Sequence, residues 1–539
     1  MPQTLFSQPL EEWVQRYNGP GNSFDIVSKL LIDNIGNVYV YGSSGGNGTL
    51  TDMTIVKYSS SGNIIWVSRY NGNGNSVDQI SSAYLDNSAN SYITGFTTDS
   101  TFSSNITTIK VDSSGNINRV NIYRRAGYTA GFGQDIILDD EDNIVVTGFM
   151  RNSGGTYDIA LIKYSNSMNE IWSITYDGEG HGDDIPVSLM RGVNNNIIVA
   201  GSSASLLNGL DMIVLKYNSS SNLIWQRKFN GKANADDRIT AIDLDNENNI
   251  LLTGSIYNNT GSSDYFFAKL NTDGQIQWNG SYNGKGNSFD IPSSIDTDNN
   301  KNIYITGYSR NGAVSGTEDI LTLKISPFGN IIWSKTFNGI ADGTDQGNTV
   351  KADDSGNVYI GGASDRGNVQ LTYALLKYNP VGDLEWFKNY SLAGIPEDFI
   401  YDLKLDKYQN IYVTGISLDT INDYDITTIK YSQTVRINNN STEAADNFIL
   451  HQNYPNPFNP KTRISYEVRN SGYISFVVLD VLGNELMELV NQKQRAGIYN
   501  IELDLKDLPS GIYFYRIAVH SDKLSAGKLS DTKKMVLIK

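Results

Sequence analysis

A repeat of 53 residues is the feature that most constrains how this chain of 539 residues can fold. Three residue types hold one phase through eight units, with steps of 53, 53, 53, 53, 53, 55 and 53 residues. An asparagine recurs from Asn37 to Asn410 and a lysine from Lys57 to Lys430. The glycines, five residues after the asparagines, are Gly42, Gly95, Gly148, Gly201, Gly254, Gly307, Gly362 and Gly415. Such a period is typical of architectures that bury a core by stacking like units.

The tryptophans share this phase. All seven occupy one position of the repeat, and Arg119 stands in the remaining unit. They are Trp13, Trp66, Trp172, Trp225, Trp278, Trp333 and Trp386. A binding platform for sugars is the alternative role, but recurrence in nearly every unit favours packing between adjacent units, where each indole can bury about 150–250 Å².

Each unit predicts four short strands. In the first unit these are Phe24–Ile32, Asn37–Ser43, Asp52–Tyr58 and Asn63–Tyr70. They are rich in Val, Ile, Tyr and Thr and are bounded by Gly, Asn, Asp and Ser, as strands and turns are. The segment Asp33–Asn37 predicts a hairpin loop, because Asn and Gly tolerate positive φ. A four-stranded unit repeated around a ring is the blade of a β-propeller.

The two ends of the repeat region complement each other. A strand with Trp13, Glu11–Tyr17, precedes the first unit, and the eighth unit ends at Tyr431 without its own tryptophan strand. We therefore predict that Glu11–Tyr17 pairs antiparallel with Asp425–Tyr431, which removes an exposed sheet edge. The predicted fold is an all-β, eight-bladed β-propeller over residues 11–431, after an N-terminal extension at 1–10. An open solenoid is the alternative, but it needs no complementary ends.

Two segments resemble a known repeat family. Asp353–Gly362 (DDSGNVYIGG) and Asp158–Tyr164 (DIALIKY) are similar to the bacterial β-propeller repeat called SBBP. The resemblance covers residues 11–431. It implies a propeller fold and extracellular placement, and it implies no chemistry.

Charge and composition exclude several classes of function. The net charge is −16, and the part before Phe448 carries −19 while the part from Phe448 onward carries +3. The negative charge of the part before Phe448 would repel the phosphates of a nucleic acid, so we expect no nucleic-acid partner. Cysteine is absent, which excludes disulfides, thiolate metal sites and cysteine nucleophiles. We expect no transmembrane segment, no signal peptide within Met1–Leu10, and a monomer.

The repeat phase stops after Tyr431. Residues 432–447 are polar and predict a linker. Alternating strands then predict a C-terminal Ig-like β-sandwich over residues 448–539. The predicted strands are Thr462–Val468, Tyr473–Asp480, Glu485–Val490, Gly497–Leu503, Gly511–Ala518 and Lys533–Ile538.

This tail resembles the type A C-terminal sorting domain of the type IX secretion system. The similar segments are QNYPNPFNP at 452–460, LDVLG at 479–483, AG at 496–497, LPSGIYFY at 508–515 and KKMVLIK at 533–539. The motif residues are Asn453, Pro455, Asn456, Pro457, Phe458, Gly483, Gly511, Tyr513, Lys534, Met535 and Lys539. The resemblance implies that residues 448–539 engage the secretion machinery, that the protein reaches the cell surface or the medium, and that the tail is then removed. The alternative is an ordinary Ig-like module.

Residues suited to catalysis are few. The chain has three histidines, His181, His451 and His520, so a Ser-His-Asp triad or a multi-histidine metal site is not expected. Aspartates recur at the phases of Asp25 and Asp52, and paired carboxylates suit glycoside hydrolysis or Ca²⁺ binding. Because a catalytic pair is needed once, recurrence favours a structural role in turns. We predict no catalytic residue and no cofactor, with Ca²⁺ as the alternative.

These observations predict a secreted or surface-displayed, non-enzymatic propeller that binds a macromolecule or glycan, or serves as a scaffold. The alternative is a secreted polysaccharide-degrading enzyme with an acidic site at the propeller mouth. Acidic or aromatic residues that break the repeat at one mouth would distinguish the two.

Overall fold

The structure is a computed structural model that describes residues 8–206, 209–259, 261–310, 317–367, 370–391, 397–418, 423–433, 448–469, 471–481, 484–520 and 529–539. The chain divides into two compact units, residues 1–434 and 435–539. In the described ranges the only helix is a 3₁₀ turn at Val193–Asn195, and no helix there is long and apolar enough to cross a membrane.

The first unit consists of eight four-stranded antiparallel sheets, here called sheets 1–8 in chain order. The first strands are β2 (Ile26–Ile32), β6 (Asp78–Leu85), β10 (Tyr128–Leu138), β14 (Asp184–Arg191), β18 (Arg238–Leu244), β22 (Asp290–Thr297), β26 (Asp345–Ala352) and β30 (Phe399–Leu405). The second strands are β3 (Val38–Gly45), β7 (Ser91–Thr98), β11 (Ile144–Asn152), β15 (Ile197–Ala204), β19 (Ile250–Tyr257), β23 (Ile303–Arg310), β27 (Val358–Asp365) and β31 (Ile411–Leu418).

The third strands are β4 (Thr51–Tyr58), β8 (Ser104–Val111), β12 (Tyr157–Tyr164), β16 (Leu210–Tyr217), β20 (Ser263–Leu270), β24 (Glu318–Ile325), β28 (Leu371–Tyr378) and β32 (Tyr424–Ser432). The fourth strands are β5 (Ile64–Tyr70), β9 (Ile117–Tyr123), β13 (Glu170–Tyr176), β17 (Leu223–Phe229), β21 (Ile276–Tyr282), β25 (Ile331–Phe337), β29 (Leu384–Tyr390) and, for sheet 8, β1 (Leu10–Tyr17). The four strands predicted for the first repeat correspond to β2, β3, β4 and β5, and their predicted ends agree with the structure to within two residues.

Burial follows the position of a strand in its sheet. In sheet 1, all eight residues of β3 are buried, whereas the outer strand β5 has one buried residue of seven. Seven of the eight residues of β4 are buried as well, including the polar Asp52, Thr54 and Lys57, so both faces of this strand are covered. The middle strands of each sheet therefore form the core, and the fourth strands face solvent.

The sheets contact one another in order, and the eighth contacts the first. Between sheets 1 and 2, the Ser28 hydroxyl donates to the Ile80 carbonyl over 2.5 Å. Between sheets 8 and 1, the Leu30 N–H donates to the Asp402 carboxylate over 2.9 Å, and the Asp25 N–H donates to the Tyr424 carbonyl over 2.8 Å. This cyclic arrangement of four-stranded sheets is consistent with a β-propeller.

The N-terminal strand completes the eighth sheet. β1 pairs antiparallel with β32, from Glu11 opposite Tyr431 to Tyr17 opposite Ile426. The Arg16 guanidinium forms an ion pair with the Asp425 carboxylate at 3.0 Å. The predicted pairing is therefore confirmed, and β32 extends to Ser432, one residue beyond the predicted boundary.

The in-phase glycines lie where two strands of one sheet approach too closely for a side chain. A Cβ added at Gly148 would lie 2.2 Å from the Phe132 carbonyl oxygen, and the other seven positions have equivalent contacts of 1.8–2.2 Å. In sheet 3, this approach is next to the bulge between Gly133 and Asp135. The glycine is therefore a steric requirement of the bulged first strand.

We expect Gly148→Ala to lower the free energy of unfolding by about 1–3 kcal/mol, because the backbone must shift to accommodate the new methyl group. The matched control is Gly154→Ala in the exposed turn that follows, where an added Cβ would have the Asn152 side-chain oxygen as its nearest atom, at 3.2 Å. Urea denaturation of the full chain measures both. Equal effects of the two substitutions would contradict the steric explanation.

The second unit has two antiparallel sheets around one hydrophobic core. One contains β33 (Phe448–Leu450), β34 (Lys461–Val468) and β37 (Gly497–Asp504). The other contains β36 (Glu485–Gln494), β35 (Gly472–Leu479), β38 (Gly511–His520) and β39 (Leu529–Leu537). β33 was not among the predicted strands, and β36 is four residues longer than predicted, because Asn491–Gln494 continue in regular register opposite Gly472–Ser475 of β35. Of the predicted linker, residues 434–447 lie outside the described ranges.

Candidate functional site

The segment from Asn453 to Phe458 lies against the last strand of the second unit. The Phe458 N–H donates to the Val536 carbonyl over 3.0 Å, and the Ile538 N–H donates to the Phe458 carbonyl over 2.9 Å. The Phe458 side chain is buried in the core of this unit. Pro455 and Pro457 cannot donate backbone hydrogen bonds. The segment is therefore held by these contacts with β39 and by the mutual backbone hydrogen bonds of Tyr454 with Arg463 of β34, at 2.9 and 3.0 Å.

Asn453 holds the turn at the start of this segment. Its side-chain amide donates to the Pro455 carbonyl and to the Thr462 hydroxyl, both over 3.0 Å. Its backbone N–H donates to the Tyr515 hydroxyl over 2.8 Å, and that hydroxyl donates to the His451 carbonyl over 2.9 Å. Burial raises the pKa of Tyr515 to about 12, so its hydroxyl keeps the proton that it donates.

Further side chains of the motif hold the backbone of β39. The Gln452 amide donates to the Lys534 carbonyl over 2.7 Å, and the Val536 N–H donates to the Asn456 side-chain oxygen over 2.8 Å. Lys534 points its ammonium into solvent, whereas Met535 is fully buried. The bonds preceding Pro455 and Pro457 are cis.

The remaining motif residues lie at the N-terminal end of β38, which pairs with the part of β39 that Phe458 contacts. The Tyr513 hydroxyl donates to the Pro509 carbonyl over 2.8 Å, beside Gly511, where the chain turns into the strand. The Lys539 N–H donates to the Ser510 hydroxyl over 2.9 Å, and its ammonium donates to the Lys506 carbonyl over 2.5 Å. Gly483 lies outside the described residues. The structure thus gathers the described motif residues along both sides of β38 and β39.

Sequence reasoning missed two contributors to this arrangement, Thr462 and Tyr515. Both are buried and bond the Asn453 turn. Tyr515 stands inside the LPSGIYFY segment, so its place in a motif was the available signal. A cavity of about 420 Å³ lies beside the turn and is lined by Tyr454, Pro455, Thr462 and Arg463 among others.

The repeated tryptophans of the first unit join neighbouring sheets. Six indole N–H groups donate over 2.9–3.4 Å to a carbonyl in the hairpin between the third and fourth strands of the next sheet. The pairs are Trp13–Ser60, Trp66–Ser113, Trp172–Ser219, Trp225–Thr272, Trp278–Pro327 and Trp333–Pro380. Trp386 packs in the core between sheets 7 and 8. Trp13 thereby connects sheet 8 to sheet 1. The same indole–carbonyl hydrogen bond thus joins consecutive sheets along the chain and joins the last sheet to the first.

The recurring aspartates bind backbone groups. The Asp25 carboxylate accepts hydrogen bonds from the Gly19 N–H over 2.9 Å and the Gly45 N–H over 3.0 Å. Asp78 has the same pair of contacts with Gly72 and Thr98. The side chain is fully buried at both positions. Each of these aspartates thus links the loop before the first strand to the end of the second strand, which is a structural role.

Burial raises the pKa of Asp25 to about 6, above its ordinary value of 3.8. A carboxyl whose pKa is raised on folding contributes stability that is complete below pH 4 and is lost as the pH rises through 6. At pH 4 we expect Asp25→Asn to be less stable than the wild type by about 1–3 kcal/mol, because the amide nitrogen cannot accept from the second N–H group, whereas the hydroxyl oxygen of the protonated carboxyl can. The deficit should shrink between pH 4 and pH 7, since the variant does not lose this stability. Urea titrations at both pH values measure it, and a deficit that grows with pH would contradict the assignment.

One acidic group in the described residues has metal-like spacing. Carboxylate oxygens of Asp158, Asp177 and Asp184 lie within 4.8 Å of one another. Each already accepts a hydrogen bond from the protein: Asp158 from Tyr128, Asp177 from His181 and Asp184 from the Gly178 N–H. His181 is 78% exposed in its loop, with its pKa raised by Asp177. This group supplies no built cation site.

Comparison with known proteins identifies part of the chain. Residues 452–534 match the family model described as "Secretion system C-terminal sorting domain". An uncharacterized WD repeat-containing protein of Acanthamoeba polyphaga mimivirus is 25% identical over 200 residues, which is 33% of this chain and 12% of the viral protein. This chain thus matches about an eighth of the length of that relative.

Three solved structures show distant likeness. The extracellular domain of a hybrid two-component system from B. thetaiotaomicron aligns at TM-score 0.29 and 10% identity, over 95% of this chain and 72% of that one. A fungal alcohol oxidase in complex with copper aligns at TM-score 0.38 and 12% identity, over 98% and 99%. An α-L-arabinanase of Penicillium chrysogenum complexed with arabinobiose aligns at TM-score 0.35 and 11% identity, over 55% and 91%.

The C-terminal part of the chain is therefore a secretion system sorting domain, as its resemblance implied. A domain of this kind indicates export to the cell surface or the extracellular space. The matched range, 452–534, includes the Asn453 turn, Tyr515 and the first part of β39.

Proposed function

We propose that this protein is an exported, non-enzymatic β-propeller with a binding or scaffold role, delivered by the type IX secretion system through residues 448–539. The single observation that carries the proposal is the sorting-domain match over residues 452–534. The proposal includes cleavage of the tail from the body, which requires a protease to reach the segment that joins them.

The proposal for the body is an eight-bladed propeller of SBBP-type repeats over residues 11–431. It is supported by eight four-stranded sheets in cyclic contact and by β1 as the last strand of sheet 8. For the tail it is an Ig-like sandwich, supported by two antiparallel sheets around one core. The proposal assigns no cofactor and no nucleic-acid partner, and it takes the protein as a monomer.

The binding role is preferred to catalysis because the recurring polar residues are engaged in holding the fold. The Asp25 and Asp78 carboxylates bind backbone N–H groups, and the Lys57 ammonium donates to the Ser113 carbonyl of the next sheet over 3.3 Å. Two further repeated lysines, Lys163 and Lys269, form ion pairs with Asp139 and Asp245 at 2.7 Å.

Export is tested by fusing residues 448–539 to a reporter that carries a signal peptide, in a host with type IX machinery. We expect the reporter at the cell surface or in the medium. An established sorting tail on the same reporter is the positive control. A reporter that stays periplasmic while the control is exported would overturn the sorting assignment. The binding role is tested with a glycan array probed with the full chain, and release of sugar from any bound glycan would favour an enzyme instead.

A further inference from the structure

The first strands of sheets 1–8 carry one position at which the repeat is broken. Residues at this position pair with the same register position of the second strand in every sheet, from Leu31 opposite Tyr39 to Lys404 opposite Tyr412. In chain order they are Leu31, Tyr84, Ile137, Met190, Asp243, Asp296, Lys351 and Lys404. Four consecutive sheets thus carry apolar or aromatic side chains here, and the next four carry charges.

These side chains lie at one level of the ring, on the strands that contact their counterparts in neighbouring sheets. The Asp296 carboxylate of sheet 6 accepts a hydrogen bond from the Ala352 N–H of sheet 7 over 2.8 Å and forms an ion pair with Lys351. In the propeller proposed above, the first strands line the central channel. The lysine side chains keep contact with solvent there: Lys351 is 29% and Lys404 27% exposed.

The charged half leaves one carboxylate and one ammonium incompletely paired. The Asp243 carboxylate accepts one hydrogen bond among the described residues, from its neighbour Leu244 N–H over 2.8 Å. The Lys404 ammonium has one partner in the described ranges, Asp402 of its own strand, at 3.3 Å. Asp243 and Lys404 stand on sheets 5 and 8, on either side of the closed Asp296–Lys351 pair. A purely structural network would pair such charges with each other, because uncompensated charges in a confined site are costly.

Neighbouring charges of the same sign make it still less favourable to keep Asp243 and Lys404 ionised. Burial and the nearby Asp296 raise the pKa of Asp243 to about 6, with Asp245 acting in the same sense and Lys351 against it. The pKa of Lys404 is lowered by burial and by Lys351 and Lys29, while Asp402 opposes that shift. A positive group placed at Asp243 and a negative group placed at Lys404 would relieve both.

We propose that this level of the channel binds a short peptide with free ends, its ammonium at Asp243, its carboxylate at Lys404 and its apolar side chains against Leu31, Tyr84, Ile137 and Met190. This inference deepens the proposed binding role and rests on the propeller arrangement. Two intervening sheets separate the groups, which is too far for the adjacent charges of one amino acid. An extended peptide gains about 3.3 Å per residue, so a tripeptide separates its terminal charges further than a single amino acid does.

Space for a ligand exists where the apolar half begins. A cavity of about 280 Å³ between sheets 1 and 2 is lined by Lys29, Leu31 and Tyr84, together with the hairpins at 33–34 and 86–87.

The test uses calorimetry of the full chain with the tripeptide Ala-Leu-Ala in four forms: unblocked, N-acetylated, C-amidated and doubly blocked. We expect the unblocked form to bind, each single block to weaken binding at least tenfold, and affinity to rise from pH 5 to pH 7 as Asp243 ionises while the α-ammonium of the peptide stays protonated. Equal affinity for blocked and unblocked forms, or no binding up to about 10 mM, a limit that covers millimolar affinity, would overturn the inference.

Variants assign the two ends. Asp243→Asn should abolish the preference for a free amino end, and Lys404→Met the preference for a free carboxylate. Asp135→Asn is the matched control, because that carboxylate of sheet 3 is satisfied by the Ser82 and Ser188 hydroxyls and the Leu189 N–H. Loss of binding in this control as well would count against the assignment. The four wild-type titrations decide the inference if a variant fails to fold. Export of the reporter fusion or glycan binding without tripeptide binding would leave the proposed function standing and reject only the peptide site.

Discussion

Deleting residues 1–19 is expected to destabilise the first unit by several times the roughly 1 kcal/mol typical of a point mutation. The deletion removes β1, the indole that donates to the Ser60 carbonyl of sheet 1, and the Arg16–Asp425 ion pair. It also leaves β32 as an uncovered edge, which promotes association between chains. Thermal unfolding and light scattering of the truncated and full chains measure both consequences.

Rescue in trans makes this test specific. A synthetic peptide of residues 8–19 should restore the thermal stability of the truncated chain, because it can occupy the vacant edge of β32. A peptide of the same composition in scrambled order is the control. Unchanged unfolding of the truncated chain, or equal rescue by the scrambled peptide, would show that β1 does not close the sheet.

Removing Lys533–Lys539 is expected to abolish export of the full chain. The truncation deletes Met535 and Leu537 from the core of the second unit and the backbone partners of Phe458. Loss of two buried apolar side chains costs about 2–5 kcal/mol each. The protein should then accumulate inside the cell envelope, which fractionation and immunoblotting of the first unit measure.

Two point variants separate the motif from the strand. Asn453→Ala keeps β39 but removes the amide that holds the Pro455 carbonyl and the Thr462 hydroxyl, so export should fall sharply. Ile498→Ala, in β37 and 74% exposed, should be exported normally. The resistance of the second unit to protease, measured for each variant, shows whether that unit is folded. Normal export of the truncated chain would contradict the role of the motif.

Much of the first unit could be predicted because its signal is local and repeated. Each repeat has the same strand and turn residues. The eighth repeat lacks a fourth strand and an extra strand precedes the first repeat, so the pairing of Glu11–Tyr17 with Asp425–Tyr431 followed from the count of strands. The sorting domain was likewise recognised from the order of its motif segments along the chain. The role of Thr462 was not, because a single threonine in a strand has no pattern that distinguishes a buried hydrogen bond from an exposed hydroxyl.

The sequence by itself determined the period, the strands, the closing strand and the sorting motif, since all of these are written as spacings along the chain. Only the tertiary structure decided why Gly148 must be glycine, because the Phe132 carbonyl reaches it through a bulge that has no spacing signal of its own. The grouping of Asp243, Asp296, Lys351 and Lys404 on the first strands of sheets 5–8 could not be predicted from the sequence either. Asp243 and Lys404 are unrelated departures from a repeat until the cyclic packing of the sheets brings them to one level. Long-range electrostatics depend on distance in space, and the ring sets that distance.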